Sequence, residues 1–420
     1  MRYIIYTILF LMAANGVAQN FADKEYYLVD SLVLEELTEG DRALIDSSLK
    51  VFHKAKDDTS RISAVNLIVE ESWDDNVWPK YNKWVYNFVT LKIASHPPES
   101  MLRSLNISLA GALNNIGYIY KGQGDIPKAL EYYHKSLNIQ EEIGDKSGIA
   151  TSLNNIGYVY QAQGDIHKAL EYYHKSLKIF EELGYKKGIA MSLNNIGIIY
   201  DDQGDIPKAL EYYHKSLKIN EEIGARLGIA YSLNNIGIIY DNQGDIPKAL
   251  EYFHKSLKIN EEIGDKKGIA MSLNNIGSIY NDQGELPKAL EYYHKSLKIR
   301  EEIGNKIGIA MSLSNIGGVE MKQGAMALAE NHLQRSLKLA REVGSPRWIS
   351  ASSYSLSKLA KKQGKYELAM QMYELHIQMK DSMNNEATQK ATVQQEAKYE
   401  YEKQKTIDDA EHDKLLAIEQ

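Results

Sequence analysis

Ser192-Leu-Asn-Asn-Ile-Gly-Ile-Ile-Tyr-Asp-Asp-Gln-Gly-Asp-Ile-Pro-Lys-Ala-Leu-Glu-Tyr-Tyr-His-Lys-Ser-Leu-Lys-Ile-Asn-Glu-Glu-Ile-Gly224 is one instance of a phrase that recurs every forty residues. Its opening, Ser-Leu-Asn-Asn-Ile-Gly, begins at Ser152, Ser192, Ser232 and Ser272, with near copies from Ala112 and Ser312. A fixed period of this size marks a stacked array in which each unit contacts its neighbours. Within the unit, Leu193, Ile196, Ile199 and Tyr200 fall at steps of three and four, as do Ala209, Leu210, Tyr213 and Leu217. That spacing belongs to two amphipathic helices. Gly204 supplies the left-handed residue that ends the first helix, and Asp205 caps the second. Pro207 sits in the first turn, where its missing N–H costs little, and Gly224 closes the unit. Each unit is a helix–turn–helix hairpin.

A glycine stands inside the first helix of every unit: Gly117, Gly157, Gly197, Gly237, Gly277 and Gly317. Mid-helix glycine costs about 1 kcal/mol against alanine, so a side chain is unwelcome there. Ala129, Ala169, Ala209, Ala249, Ala289 and Ala329 recur opposite, and the paired small residues predict close approach of the two helices.

Asn-Ile-Gly-x-Ile-Tyr, Gln-Gly-Asp, Lys-Ala-Leu-Glu-Tyr-Tyr and the following Ser-Leu resemble the tetratricopeptide repeat in its forty-residue form, as in kinesin light chains. The resemblance implies an all-α, right-handed solenoid of stacked hairpins, ending here in a long C-terminal helix. Five near-identical units fill 110–309, within an array expected over 99–349 whose sixth unit is divergent. A capping repeat is expected over 350–383, and a charged helix, juxtamembrane or coiled-coil, over 384–420. Upstream, a degenerate first hairpin is expected over 58–98 and a helical cap over 19–57. Residues 1–18 read as a signal peptide: Arg2, an apolar core of about ten residues that is too short to span a bilayer, then small residues up to Ala18. Export to the periplasm or exterior follows as the expectation.

Composition excludes several functions. Forty-nine Lys and Arg against 56 Asp and Glu give a net charge of −7, with no bulk positive field for nucleic acid. Zero cysteines exclude disulfides, thiolate metal sites and a cysteine nucleophile. Gly144-Asp-Lys-Ser-Gly148 lacks the leading glycine of a phosphate loop and reads as an inter-repeat turn. The column His134, His174, His214, His254 and His294 reads as solvated outer surface. No nucleophile–base–orienter set stands out, so no catalytic residue, metal or cofactor is expected.

The columns that vary between near-identical units carry the functional signal. The residue after the glycine is Tyr118, Tyr158, Ile198, Ile238, Ser278, Gly318; the one before Ser-Leu-Asn-Asn includes Met191 and Tyr231. The pair after the tyrosine runs from Lys121-Gly122 through Asp201-Asp202, Asp241-Asn242 and Asn281-Asp282 to Met321-Lys322. With Asn114, Asn154, Asn194, Asn234 and Asn274 they share one face of the first helix. The resemblance implies that this face lines a concave groove where the asparagines pair with an extended peptide backbone. Asp201, Asp202, Asp241 and Asp282 lie in last turns, where the macrodipole disfavours anions; they predict a Lys- or Arg-bearing partner. The family's carboxylate-gripping pattern is missing from the expected columns. The expected function is therefore an exported, non-catalytic scaffold binding a protein or peptide. The alternative is the sensor region of a bacterial, Bacteroidetes-like membrane signalling protein whose span and output module follow residue 420. Homodimerisation would run through the charged C-terminal helix.

Overall fold

The computed structural model describes residues 23–72 and 74–384. The expected signal peptide and residues 385–420 of the expected charged helix lie outside them. The described residues are helical and form no β-strand. They fall into two compact units that divide between Phe88 and Val89, inside one helix.

The first unit holds α1 (Lys24–Tyr27), a 3-10 turn (Leu34–Glu36), α2 (Glu39–Lys54), α3 (Asp58–Glu71) and most of α4 (Trp78–Ala94). Asp57 caps α3 by accepting from the Ser60 N–H at 2.8 Å. Leu32, Ile45, Leu49, Val65, Ile68 and Tyr81 are buried, and α2 packs on α3.

The second unit contains seven hairpins. They pair α5 (Glu99–Gly122) with α6 (Ile126–Glu142), α7 (Lys146–Gln163) with α8 (Ile166–Glu182), and α9 (Lys186–Asp202) with α10 (Ile206–Glu222). Next come α11 (Arg226–Asn242) with α12 (Ile246–Ile263), and α13 (Lys266–Asp282) with α14 (Leu286–Glu302). The array ends with α15 (Lys306–Gln323) and α16 (Met326–Val343), then α17 (Pro346–Lys362) and α18 (Tyr366–Asn384). The turn chemistry is as the sequence requires. Gly204 and Gly224 have φ of 75° and 65°, and Asp205 accepts from the Lys208 N–H.

The glycine column is explained by a large side chain from the second helix, an aromatic ring in the first five hairpins and Leu333 at Gly317, rather than by the facing alanine alone. A Cβ on Gly197 would stand 2.8 Å from Tyr213 Cδ1, and one on Gly237 2.8 Å from Phe253 Cδ1. The alanine contributes through its carbonyl, 3.1 Å from the same point at Gly117. Serine fixes the hairpin from the other side: Ser216 donates to Ala190 O at 2.8 Å and lies 3.2 Å from Ser232 of the next unit. These buried hydroxyls are satisfied, which removes the penalty of burying them.

Tyrosine is abundant, 29 residues against 6 Phe and 4 Trp, in part because each of the first five hairpins stacks two of them. Tyr200 and Tyr212 lie 5.4 Å apart by ring centroid, Tyr240 and Tyr252 5.5 Å. The sixth hairpin replaces this pair with Glu320 and His332, whose Nδ1 lies 2.8 Å from the carboxylate. Its divergence is thus a paired exchange of one contact for another. At the end of the array, α18 leaves Tyr366, Met370 and Tyr373 exposed at helical spacing.

First helices of successive hairpins approach one another more closely than second helices do, so the array bends with the first helices inside. The curl returns the α5–α6 turn to the start of α17. A Cβ on Gly124 would stand 2.9 Å from Pro346 Cγ.

Candidate ligand groove

The inner wall is built from the faces of α5, α7, α9, α11, α13, α15 and α17 that do not pack on their own second helices. Leu193, Ile196 and Gly197 turn inward to the hairpin and are buried, which leaves Met191, Asn194, Ile198, Asp201 and Asp202 on the opposite stripe, half-buried or exposed. The varying columns therefore share one surface.

The asparagines are already engaged with one another, and Asn154 and Asn234, expected on the groove surface, are buried by that packing. Asn155 donates to Asn114 Oδ1 at 3.3 Å, and Asn195 to Asn154 Oδ1 at 3.1 Å. Asn235, Asn275 and Asn315 donate to Asn194, Asn234 and Asn274 at 2.9 Å each. The second asparagine of each unit is thus a strap to the first asparagine of the unit before. The straps use the carbonyl side of Asn154, Asn194, Asn234 and Asn274, and each amide has two N–H donors beyond that. Asn114 spends one of its own on Ser152 Oγ at 3.0 Å.

At the N-terminal end of the hollow, Tyr118 and Tyr158 are 52% and 41% exposed. The Lys121 ammonium sits over both, 4.5 Å and 3.9 Å from the ring centroids. Burial, and then the charge of Lys267, hold its pKa down to about 8. Tyr231 is half-buried, and burial followed by Asp265 raises its phenol.

A consequence of this environment is testable by pH. Lys121 titrates below an unfolded-chain lysine, so the unfolded state binds more protons between pH 8 and about 10.5. Its favourable contribution is present above that window and is lost as pH falls through 8. Lys121→Met should raise the urea midpoint at pH 7, and that gain should shrink as pH climbs from 8 to 10. A gain independent of pH would contradict the assignment.

Asp201 and Asp202 on α9, Asp241 on α11 and Asp282 on α13 occupy the last turns of successive first helices and make up an acidic strip. Burial, then Asp202, raises the Asp201 carboxyl; burial, then Asp282, does the same for Asp241. Gln161 donates to Asp202 at 3.1 Å and accepts from the Tyr173 hydroxyl at 2.9 Å, which ties the strip to the second repeat.

A feature the sequence reading missed lies at the other end. A cavity of about 730 Å³ opens between the fifth and seventh repeats, lined by Lys322, Lys358, Lys361 and Lys362 together with Asn315 and Ser355. Lys361 and Lys362 stand forty-residue multiples from Asp201 and Asp202, so the legible signal was the same column followed one repeat further.

The histidine column divides. His174, His214, His254 and His294 are exposed as expected, whereas His134 in the first hairpin is buried. Among the described residues no group of His, Asp and Glu could hold a metal ion, and no helix is long and apolar enough to cross a membrane.

The family model described as tetratricopeptide repeat matches residues 108–182, 148–222, 188–262, 228–302, 268–319 and 308–382. No curated protein matches the chain. Among solved structures, a Rap protein complexed with competence and sporulation factor is 16% identical, over 82% of this chain and 99% of its own, with a TM-score of 0.54. The apo form of RapI is 22% identical, over 65% and 98%, at 0.49. BtubC (BKLC) from P. vanneervenii is 19% identical, over 53% and 91%, at 0.41. The Rap complex shares the stacked-hairpin fold.

Proposed function

Because the chain belongs to the tetratricopeptide-repeat family, we propose that its hollow binds an extended, Lys- or Arg-bearing segment of a partner protein and does no chemistry of its own. One observation carries the reading: units that are otherwise near copies differ on their inner wall, while the columns that pack stay fixed. The acidic strip is the sharpest of these differences. Asp201, Asp202, Asp241 and Asp282 occupy last turns, where a carboxylate opposes the helix dipole. Burial and mutual repulsion add to that cost, and an arriving cation relieves all three. The half-buried Asn114, Asn194 and Asn274 supply N–H donors for a backbone lying beside them.

Export belongs to the same proposal and rests on Arg2, the apolar run and the small residues up to Ala18.

The test is fluorescence anisotropy with a labelled peptide of four lysines flanked by Ser-Ala spacers. Asp201→Asn, Asp202→Asn, Asp241→Asn and Asp282→Asn together should weaken it about tenfold, equivalent to about 1.4 kcal/mol, and flatten its salt dependence. Equal affinity and equal salt slope would remove the acidic strip from the mechanism.

A further inference from the structure

We propose that the cavity at the C-terminal end of the groove is a second subsite of opposite charge, and that it takes an acidic stretch of the same extended chain. The ligand is then a bipolar peptide, with a basic block on the acidic strip and an acidic block among the lysines. This rests on the peptide-binding reading above and adds the identity of the ligand's other end.

The wall reverses sign along its length. Positions that carry Asp201 and Asp202 in the third repeat carry Lys361 and Lys362 in the seventh. Lys358 takes the position of Tyr118, Tyr158, Ile198 and Ile238. These three and Lys322 line a cavity of about 730 Å³, within the size range of ligand sites. Among the described residues none of the four has a carboxylate partner. Lys322 donates to Asn281 Oδ1 at 2.9 Å, and the Lys358 ammonium lies 4.2 Å from the Tyr354 ring centroid.

Lys322, Lys361 and Lys362 lie in last turns, where a cation also suits the helix dipole. Lys358 lies a turn earlier and has no such reason to be there. Four cations on one wall repel each other until an anion arrives.

The neighbouring strip selects which anion. A nucleic acid or other long polyanion that followed the groove would meet Asp282 and Asp241 within two repeats, and like charges in register are costly. A short acidic block joined to a basic one meets opposite charge throughout. Asn315 and Ser355 on the cavity wall offer hydrogen bonds to its backbone. Asp282 on α13 and Lys361 and Lys362 on α17 are two first helices apart, about 20 Å at about 10 Å a step, and an extended chain advances about 3.3 Å per residue, so the blocks should be separated by about six residues.

The test uses three fluorescent peptides. The first carries four lysines, a six-residue Ser-Ala spacer and four glutamates. The second replaces its glutamates with glutamine, and the third replaces its lysines. Both block orders are run, and the tighter one gives the direction of the chain in the groove. The bipolar peptide should bind the wild-type protein at least tenfold more tightly than the lysine-only peptide. Lys358→Gln, Lys361→Gln and Lys362→Gln together should erase that advantage and leave the lysine-only peptide unchanged. A two-residue spacer should also lose it.

The inference is overturned if the glutamates add nothing, if their gain survives the triple substitution, or if an oligothymidylate with as many negative charges as the glutamate block displaces the bipolar peptide as well as the peptide itself does. In the first case lysine-only binding that depends on the four aspartates still upholds the basic-ligand reading. Binding of the glutamate-only peptide without the lysine-only one would sink that reading and keep the lysine subsite. Binding of none of the three would overturn both.

Discussion

Gly237→Leu should unfold the array at a markedly lower urea concentration, with a loss of about 3 kcal/mol, at the upper end of overpacking costs. The added Cβ would begin 2.8 Å from Phe253 Cδ1 and 2.8 Å from Cε1. That ring is 1% exposed and cannot swing into solvent. The two helices of the hairpin have to separate, which also pulls Ser256 Oγ from Ala230 O, now 2.9 Å away. Helix propensity works the other way, since replacing glycine gains up to about 1 kcal/mol, so the observed loss is net of that. Gly237→Leu combined with Phe253→Ala should lose less than the sum of the two singles, because the ring is what the leucine strikes. An unchanged unfolding midpoint for Gly237→Leu, read by circular dichroism, would refute the ring-in-glycine packing.

Gly124→Gln and Gly204→Gln should separate two effects that a single substitution would merge. Both glycines have left-handed backbone, φ of 77° and 75°, so each variant carries backbone strain of about 1–2 kcal/mol. At Gly204 a Cβ meets nothing within 4 Å, whereas at Gly124 it meets the rigid ring of Pro346 at 2.9 Å. Only Gly124→Gln should therefore push the first hairpin from the seventh, raise the radius of gyration in small-angle scattering, and speed proteolysis near Pro346. If both variants scatter alike, the contact between the first and seventh hairpins does not hold the curl.

What could be read from residue order was whatever repeats locally. Gly204, Asp205 and Pro207 announce a turn within four residues of chain, and the forty-residue period announces stacking. Contacts between units were harder. Asn195 is the same residue type as its neighbour Asn194, and only its bond to Asn154 shows that the two asparagines do different work. The ring behind Gly197 comes from Tyr213, sixteen residues away, and periodicity cannot tell a ring from the alanine beside it. Glu320 and His332 break the tyrosine pattern in sequence, and only their contact shows them to be a substitute pair. Lys358, Lys361 and Lys362 do not stand out in sequence because the seventh repeat diverges enough to read as a cap. The buried His134 broke a column that is otherwise exposed; its position in the first hairpin, not its residue type, sets it apart.

The meeting of Gly124 with Pro346 also bears on how such a gene can change. The units are near copies in amino-acid sequence, and an inserted or deleted copy would keep the asparagine straps and serine bridges between neighbours intact. It would nevertheless carry Pro346 a full rung past or short of Gly124. Copy number is then constrained by the circumference of the curl, and variants that differ by one unit should be selected against even though every joint in them is sound.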